Sequence, residues 1–222
     1  MTFSNEWENI YRSSEQMSIW PWSDLVAYVM RYARPTGPEF RVLEIGVGAG
    51  ANVPFFHHLK TQYYGVDGST TAVDRLKERF PAAAANFVVA DFTRELPVPG
   101  QFDLVVDRGA LTANTGSAVK ACLRLVHEKL KPGGKLLSID FYSDRHSDSA
   151  LGRTNEDKFT KTEIPEGHLA GTGNVHFADE AQIKSLFSDF EIIILEHKTI
   201  ERLVPANSHV FASFNVACRK GG

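Results

Sequence analysis

A glycine-rich segment that begins with a carboxylate is the part of the sequence best suited to hold a ligand. The segment Glu44–Gly50 (EIGVGAG) follows an apolar run, Phe40–Ile45, and precedes a helical pattern. Glycine lets a backbone turn sharply and approach a ligand because it carries no Cβ. Gly46, Gly48 and Ala51 also match the pattern of dinucleotide-binding loops. The segment therefore indicates a nucleotide-like cofactor and leaves a nicotinamide open.

Acidic residues at three predicted strand ends narrow the choice of cofactor. Glu44 lies two residues before the first glycine, where its charge would repel a pyrophosphate and would suit a cationic cofactor such as S-adenosylmethionine. Asp67 could take the hydroxyls of a ribose, as it could in an NAD enzyme. Asp91 and Phe92 offer a hydrogen-bond acceptor and an apolar surface for an adenine ring. Together these residues favour a methyl-donor pocket over a phosphate site.

These residues need a sheet that brings the ends of its strands to one edge. Short apolar runs alternate with amphipathic helical patterns, which is typical of a doubly wound parallel sheet. We predict an α/β fold with a doubly wound, Rossmann-like, seven-stranded sheet, mostly parallel with an antiparallel last strand, and helices on both faces. The expected strands are Phe40–Ile45, Gln62–Val66, Asn86–Ala90, Phe102–Val106, Lys135–Asp140, Glu191–Arg202 and Val210–Cys218.

Five segments in order resemble the motif series of class I S-adenosylmethionine-dependent methyltransferases: VLEIGVGAG, YYGVDGS, VVADF, FDLVVDRGAL and LKPGGKLLSID. The resemblance covers Phe40–Phe141. It implies that the first motif holds the methionine part of S-adenosylmethionine, the second its ribose and the third its adenine, and that the transferable methyl group emerges at the fourth. The cofactor-binding residues implied are Glu44, Gly46, Gly48, Gly50, Asp67, Gly68, Asp91, Phe92 and Asp107.

The segment Asp107–Leu111 (DRGAL) is similar to a segment of thiopurine methyltransferases and of related enzymes of the tellurite-resistance type. We expect Arg108 to contact the acceptor, and a structural ion pair is the alternative. Asp107 and Asp140 end adjacent predicted strands, and either carboxylate could accept a proton from an acceptor hydroxyl. Cation-dependent catechol-type methyltransferases carry an Asn where this chain has Phe141, so we expect no metal.

The N-terminal segment, residues 1–34, could fold over the cofactor, as it does in small-molecule members of the resembled family. Trp20 and Trp22 flank a proline and offer flat apolar surfaces, and Tyr11 offers a hydroxyl group. We expect Tyr11 and Trp20 to contact the donor and Trp22 to contact the acceptor. The alternative is that these aromatic side chains pack as core against the helix that follows.

A second segment without periodicity, Tyr142–Phe177, follows the fifth predicted strand and is as long as a functional loop. His146 is a candidate general base, because an unperturbed imidazole titrates near neutral pH. His176 is a candidate contact to the acceptor. We therefore divide a single methyltransferase domain, 1–222, into a cover (1–34), a donor-binding core (35–141), an acceptor-side insertion (142–178) and a C-terminal helix with a strand pair (179–222).

Composition excludes several classes of protein. The 222 residues carry a net charge of −3, and 43% are hydrophobic, which fits a globular chain and not a disordered or fibrous one. We expect no nucleic-acid partner because positive charge is not clustered. No apolar run reaches the ~18 residues of a membrane span. Two distant cysteines and the lack of a secretory signal favour the cytoplasm.

The combined expectation is methyl transfer from S-adenosylmethionine to a small-molecule acceptor by in-line displacement, as O- or N-methylation of a sugar or secondary metabolite. An S-, Se- or Te-methyltransferase of the thiopurine or tellurite-resistance type is the first alternative. An NAD(P)-binding oxidoreductase and a non-catalytic donor-binding protein are the others. A Tyr-x-x-x-Lys dyad, which one oxidoreductase class uses, does not occur in the sequence. The oligomeric state is left open.

Overall fold

The structure, a computed structural model, describes residues 5–14 and 17–221. The strands are β1 Arg41–Ile45, β2 Gln62–Asp67, β3 Phe87–Val89, β4 Phe102–Arg108, β5 Leu130–Tyr142, β6 Arg153–Asn155, β7 Asp157–Thr162, β8 Val175–His176, β9 Glu191–Leu203 and β10 Ala206–Arg219. Within these described ranges, seven strands form the main sheet in the order β3-β2-β1-β4-β5-β10-β9, and β6, β7 and β8 form a small second sheet.

The pairing of the main sheet confirms the predicted fold class. β1 pairs in parallel with β2 and β4, and the same holds for β2 with β3 and for β4 with β5. The last strand, β10, runs antiparallel to both β5 and β9. It lies one position inside the sheet, and β9 forms the edge. The reversed strand is therefore hydrogen-bonded on both sides, which fits its almost continuously buried second half.

The helices are α1 Asn5–Ser13, α2 Ser23–Tyr28, α3 Val53–His58, α4 Thr70–Arg79, α5 Gly116–Lys129 and α6 Glu180–Leu186. Side-chain caps, at Ser69, Thr115 and Asp179, fix three of their starts. Ser69 Oγ accepts a hydrogen bond from Ala72 N at 3.0 Å, and Asp179 Oδ1 accepts one from Gln182 N at 2.7 Å. Such a cap satisfies one of the free N–H groups of a first helical turn.

Apolar side chains cover both faces of the sheet, as the pattern predicted. Along β4, Leu104 and Val106 belong to the core beneath α2, α3 and α4, whereas Val105 belongs to the core beneath α5 and α6. This alternation follows from the two-residue period of a strand. Each such side chain contributes about 1.5–3 kcal/mol when it is fully buried. Both cysteines, Cys122 and Cys218, are buried free thiols in this core.

The segment that lacked periodicity is ordered by short strands and one polar turn. β6 pairs with β7, and β7 pairs with β8, in both cases antiparallel. These strands span two to six residues, which is too short to leave a clear alternation in the sequence. Among the helices of the described residues, none has the length and apolar character that crossing a bilayer requires.

Candidate functional site

The carboxyl ends of β1, β2, β4 and β5 open onto one cleft, which contains two adjoining cavities. The larger cavity has a volume of about 540 Å³ and the smaller one about 90 Å³. Tyr11, Gly46 and Arg108 line both, so the two cavities are parts of one cleft. β1 and β4 are neighbours from which the sheet grows in opposite directions, and such a switch point leaves a crevice at the sheet edge.

The glycine turn after β1 is shaped by close contacts that only glycine permits. Gly46 and Gly48 have φ angles of +68° and +51°. A Cβ on Gly46 would lie 2.1 Å from Ala110 Cβ, and one on Gly48 would lie 2.5 Å from the Tyr11 hydroxyl oxygen. A Cβ on Gly50 would instead lie 2.2 Å from a Leu76 methyl carbon. Gly46 and Gly48 therefore shape the cleft, whereas Gly50 allows the turn to pack against α4.

Glu44 is a buried carboxylate that lines the larger cavity. It accepts hydrogen bonds from the Tyr63 hydroxyl and, at 2.8 Å, from Asn52 Nδ2. Burial raises the pKa of Glu44 to about 7, and the two hydrogen bonds offset only part of that rise. Among the residues that the structure describes, no cation forms an ion pair with Glu44, so a cation in the cleft would interact favourably with its ionised form.

Asp67 and Phe92 line the smaller cavity. The carboxylate of Asp67 accepts hydrogen bonds from the amides of Gly48 and Ser69, both at 2.8 Å. Burial raises the pKa of Asp67 to about 6 in spite of these bonds. A polar acceptor and an aromatic ring therefore line the same small cavity, a combination suited to a nucleoside.

Helix α1 closes the cleft above the glycine turn. Glu8 accepts hydrogen bonds from the hydroxyls of Ser69 and Thr71, both at 2.6 Å, and Arg75 Nη1 donates to the carbonyl oxygen of Tyr11 at 2.7 Å. These bonds fix α1 to the start of α4. As a result the Tyr11 ring lies against Gly48 and is nearly buried.

The opposite side of the larger cavity carries two cations paired with two carboxylates. Arg108 Nη2 donates to Asp140 Oδ2 at 2.9 Å, and the Arg108 guanidinium lies 3.9 Å from the centroid of the Trp22 ring. Lys198 Nζ forms an ion pair with Asp140 Oδ1 and lies 3.0 Å from Asp24 Oδ2. All five residues line the larger cavity. This side of the cleft can therefore bind a polar or anionic group next to an aromatic surface.

Asp140 has a backbone conformation that is uncommon for a residue with a side chain. Its φ is +58°. The strand β10 holds this conformation: Ser213 Oγ donates to Asp140 Oδ1 at 2.8 Å, and Asn215 Oδ1 accepts from Asp140 N at 3.0 Å. Such conformations persist only where surrounding contacts fix them, and they concentrate at functional sites.

Asp107 lies behind the wall of the cleft. Its carboxylate accepts hydrogen bonds from Ala110 N at 2.9 Å, Leu111 N at 3.0 Å and Ser138 Oγ at 2.6 Å. Burial raises its pKa to about 6. Asp107 thereby shapes the turn at Gly109 that lines both cavities, and the geometry does not place its carboxylate against a ligand.

The two predicted histidines lie away from the cleft lining. His146 is buried among aromatic rings, and burial lowers its pKa to about 4, an effect that nearby Asp148 offsets only in part. At neutral pH it is therefore a weakly basic, uncharged imidazole. His176 lies 2.9 Å from Thr160 Oγ1 through Nδ1 and packs on the ring of Phe141. Its contacts join the insertion to the sheet.

The structure thus brings together only part of the predicted site. The predicted residues that line the cleft are Tyr11, Trp22, Glu44, Gly46, Gly48, Asp67, Phe92, Arg108 and Asp140. The predicted residues outside its lining are Trp20, Gly50, Gly68, Asp91, Asp107, His146 and His176. Trp20 is 71% exposed. Asp91 accepts hydrogen bonds from the amide and hydroxyl of Thr93 at 3.0 and 2.6 Å.

Several residues that line the larger cavity were missed by sequence reasoning. Trp7 is one of them, and it lines both cavities. Asn52, two residues beyond the glycine turn, could have been found from that position. Other missed residues come from segments with no motif, among them Asp24, Tyr142, His168, Lys198 and Phe211.

The fold and the cleft define an α/β protein with a site for a nucleoside-containing, cationic ligand. Residues 42–134 match the model of a family described as a methyltransferase domain. Over 113 residues the chain is 31% identical to a protein-L-isoaspartate O-methyltransferase of Azorhizobium caulinodans, a match that covers 50% of this chain and 48% of that protein. Over 137 residues it is 28% identical to a probable thiol methyltransferase 2 of Arabidopsis thaliana, covering 60% of each.

Solved structures show the same fold. The 1,6-didemethyltoxoflavin-N1-methyltransferase of Burkholderia thailandensis superposes with a TM-score of 0.68 at 18% identity, over 98% of this chain and 87% of that one. The chain spans about half the length of the first curated relatives that it matches. Residues 42–134 therefore resemble a methyltransferase domain, and the fold is shared with a solved S-adenosylmethionine-dependent methyltransferase. The similarity of the DRGAL segment to thiopurine methyltransferases stays a prediction.

The buried carboxylate of Glu44 costs stability but would attract a cationic donor. We therefore predict that Glu44→Gln raises the stability of the protein and weakens its binding of the donor. A carboxylate whose pKa is raised on folding destabilises the protein increasingly as pH rises from about 4.5 to 7. We expect the variant to melt a few degrees higher than the parent at pH 8 without ligand, and about equally at pH 4.5. We expect it to bind S-adenosylmethionine at least about tenfold more weakly.

Calorimetric titration and thermal melts at the two pH values test both effects of Glu44→Gln. Gln retains a carbonyl oxygen for Asn52 and can donate to Tyr63, so its fold should be preserved. The matched control is Glu39→Gln, which changes an exposed carboxylate and should leave both measurements unchanged. Equal donor affinity in the Glu44→Gln variant and the parent would contradict the assignment of Glu44 to the donor side.

The attachment of α1 predicts a second effect on the donor. Glu8→Ala removes the acceptor for the hydroxyls of Ser69 and Thr71, so α1 should detach more often from the glycine turn. We expect faster amide hydrogen exchange in α1 and a several-fold weaker affinity for S-adenosylhomocysteine, with little loss in melting temperature. Glu78→Ala, an exposed change on α4, is the control. Unchanged exchange in α1 would show that these bonds do not hold it.

Proposed function

We propose that the chain transfers the methyl group of S-adenosylmethionine to a small polar molecule. One observation carries the proposal: a single cleft has buried carboxylates beside a glycine turn on one side and ion-paired cations beside aromatic rings on the other. The first side suits a cationic nucleoside, and the second suits a polar acceptor. The two are close enough to line one cavity, which is what an in-line displacement requires.

On the donor side, we assign the ammonium end of the cofactor to the region of Glu44 and its ribose to Asp67. Phe92 would stack near the adenine, and Tyr11 would cover the methionine part. When bound, the cofactor supplies an electrophilic methyl group. The residues of the chain orient it and, through α1, keep water from the cleft. Trp20, Gly50 and Asp91 have no assigned contact to the cofactor in this proposal.

On the acceptor side, Asp140 is a carboxylate at the end of β5 that lines the cavity, so we assign it the role of orienting an acceptor hydroxyl or amine and taking its proton. Arg108 and Lys198 would bind a polar or anionic group of the acceptor. Trp22 and Phe211 offer aromatic surfaces for a planar acceptor. These features favour O- or N-methylation of an aromatic or otherwise planar metabolite, and the insertion 142–178 would help to shape its pocket.

A thiol acceptor is the second candidate. The two cations beside the cavity, Arg108 and Lys198, would stabilise a thiolate, which needs no general base once it is ionised. The relative from Arabidopsis thaliana carries the name of a probable thiol methyltransferase. A panel of small thiols therefore belongs beside the planar hydroxyl and amine compounds in the search for the acceptor.

Two measurements test the proposed reaction. Calorimetry with S-adenosylmethionine, S-adenosylhomocysteine and NAD should give binding of the first two; binding of NAD alone would overturn the proposal in favour of an oxidoreductase. A panel of acceptors should then be screened for release of S-adenosylhomocysteine. Donor binding with no release for any member of a broad panel would favour the non-catalytic donor-binding protein.

The position of Arg108 predicts a loss that is specific to the acceptor. A hydrogen bond to a charged group contributes about 1.5–3 kcal/mol, so Arg108→Ala should raise the KM for the acceptor by about tenfold or more. The dissociation constant of S-adenosylhomocysteine should change far less. Arg153→Ala, which removes an exposed ion pair with Glu163, is the control and should change neither. An unchanged acceptor KM would leave Arg108 with a structural role only.

A further inference from the structure

We propose that His146, Asp148 and His209 bind a divalent transition-metal ion of the zinc class, at a site behind the acceptor side of the cleft. Each of the three side chains offers one ligand atom, and these atoms lie within 4.8 Å of one another. The proposal does not depend on the proposed methyl transfer. It also departs from the expectation, drawn from the sequence, that the chain has no metal.

The distances between these groups approach those of a coordinated ion. His209 Nε2 lies 3.1 Å from Asp148 Oδ1, and His146 Nδ1 lies 3.8 Å from the same oxygen. Zinc bonds of about 2.0–2.2 Å in tetrahedral geometry separate neighbouring ligand atoms by roughly 3.4 Å. Side-chain movements of about 1 Å or less would therefore complete the site. Imidazole nitrogens with one carboxylate oxygen suit zinc and its neighbours better than calcium or magnesium.

An unsatisfied nitrogen supports the proposal independently. His146 is only 1% exposed, and its Nε2 has no hydrogen-bond partner among residues 5–14 and 17–221. Nδ1, its other ring nitrogen, accepts from Asp148 N at 3.1 Å. Buried polar atoms normally have a partner because leaving one unpaired costs free energy. A rotation of the imidazole by half a turn exchanges Nε2 with Cε1 and Nδ1 with Cδ2, which would bring Nε2 to the side of the ring that Cε1 now occupies.

The surroundings of Asp148 hold its carboxylate in place. Asp148 Oδ2 accepts a hydrogen bond from Leu169 N at 2.8 Å, which leaves Oδ1 for the ion. Gly167 has a φ of +96°, and a Cβ there would lie 2.5 Å from Asp148 Oδ1. The loop therefore approaches the carboxylate as closely as only glycine allows. Hydrogen-bonded support of this kind is common around the ligands of a metal ion.

The position of the site suggests what an ion would do there. His146 and Asp148 belong to the turn Ser147–Ala150 and the residue that precedes it. His209 lies on β10, 61 residues after Asp148. Phe211 packs on the ring of His146, with 5.5 Å between centroids, and also lines the larger cavity. An ion would tie the insertion to the terminal strand pair and fix this wall of the acceptor pocket.

Metal binding is tested on the full-length protein after removal of any polyhistidine tag and treatment with a chelator. We expect calorimetric titration with Zn²⁺ to give one tight equivalent and a higher melting temperature. Co²⁺ should give the visible absorption of a site with few ligands. Titration that yields no binding, or only weak binding at several sites, would overturn the proposal and leave Asp148 and His209 as an ion pair.

Variants separate this site from other histidines. His209→Gln and His146→Gln should each weaken Zn²⁺ binding by at least about tenfold. His58→Gln removes an exposed imidazole beside His57 and is the control, with no change expected. Equal affinity in the parent and in His209→Gln would overturn the assignment. Because His209 is partly exposed, its substitution should leave the fold and S-adenosylhomocysteine binding intact, which keeps this test distinct from a failure of the proposed function.

Discussion

Three carboxylates, Glu44, Asp67 and Asp107, are almost wholly buried at the carboxyl edge of the sheet, and an ionised group in such a position costs several kcal/mol unless it is compensated. Each is compensated by a different connection. The side chains of Asn52 and Tyr63 donate hydrogen bonds to Glu44. Backbone amides of the turns after β1 and β2 donate to Asp67, and backbone amides after β4 donate to Asp107. The loops of the cleft have their shape because these charges must be satisfied.

The compensation is incomplete on the donor side, and this links structure to function. The pKa values of Glu44 and Asp67 are raised to about 7 and about 6, so burial outweighs the hydrogen bonds that each receives. A cationic ligand would supply the missing charge at Glu44. The electrostatic free energy that burial of these carboxylates costs can be recovered in part when a cationic ligand binds. This contribution favours a cationic nucleoside over a phosphate-bearing one.

The donor side could be predicted from the sequence because strand order alone decides which residues meet there. Glu44, Gly46 and Asp67 follow short apolar runs, and parallel strands bring their ends to one edge. Lys198 and Phe211 could not be predicted, because their position depends on the pairing of β10 with β5 and β9. A lysine in an isolated strand pattern is indistinguishable from a solvent-exposed one.

The histidines of the insertion show a second limit of prediction. His146 and His176 lie in a segment whose strands are too short to reveal which side chains face inward. Both are buried by aromatic residues from other elements, among them Phe211 and Phe141. A general base near neutral pH needs solvent or a charged partner, and burial instead lowers the pKa of His146 to about 4.

The reversed last strand connects the fold to the acceptor side. Asp140 adopts a positive φ, which costs about 1 kcal/mol or more for a residue with a side chain, and Ser213 and Asn215 of β10 hold it there. The neighbouring strand β9 contributes Lys198 to the same carboxylate. Changes in the β9–β10 pair can therefore alter the charge and shape of the acceptor side while the glycine turn and its carboxylates stay as they are. In the proposed function, donor binding and acceptor choice thus depend on opposite halves of one sheet.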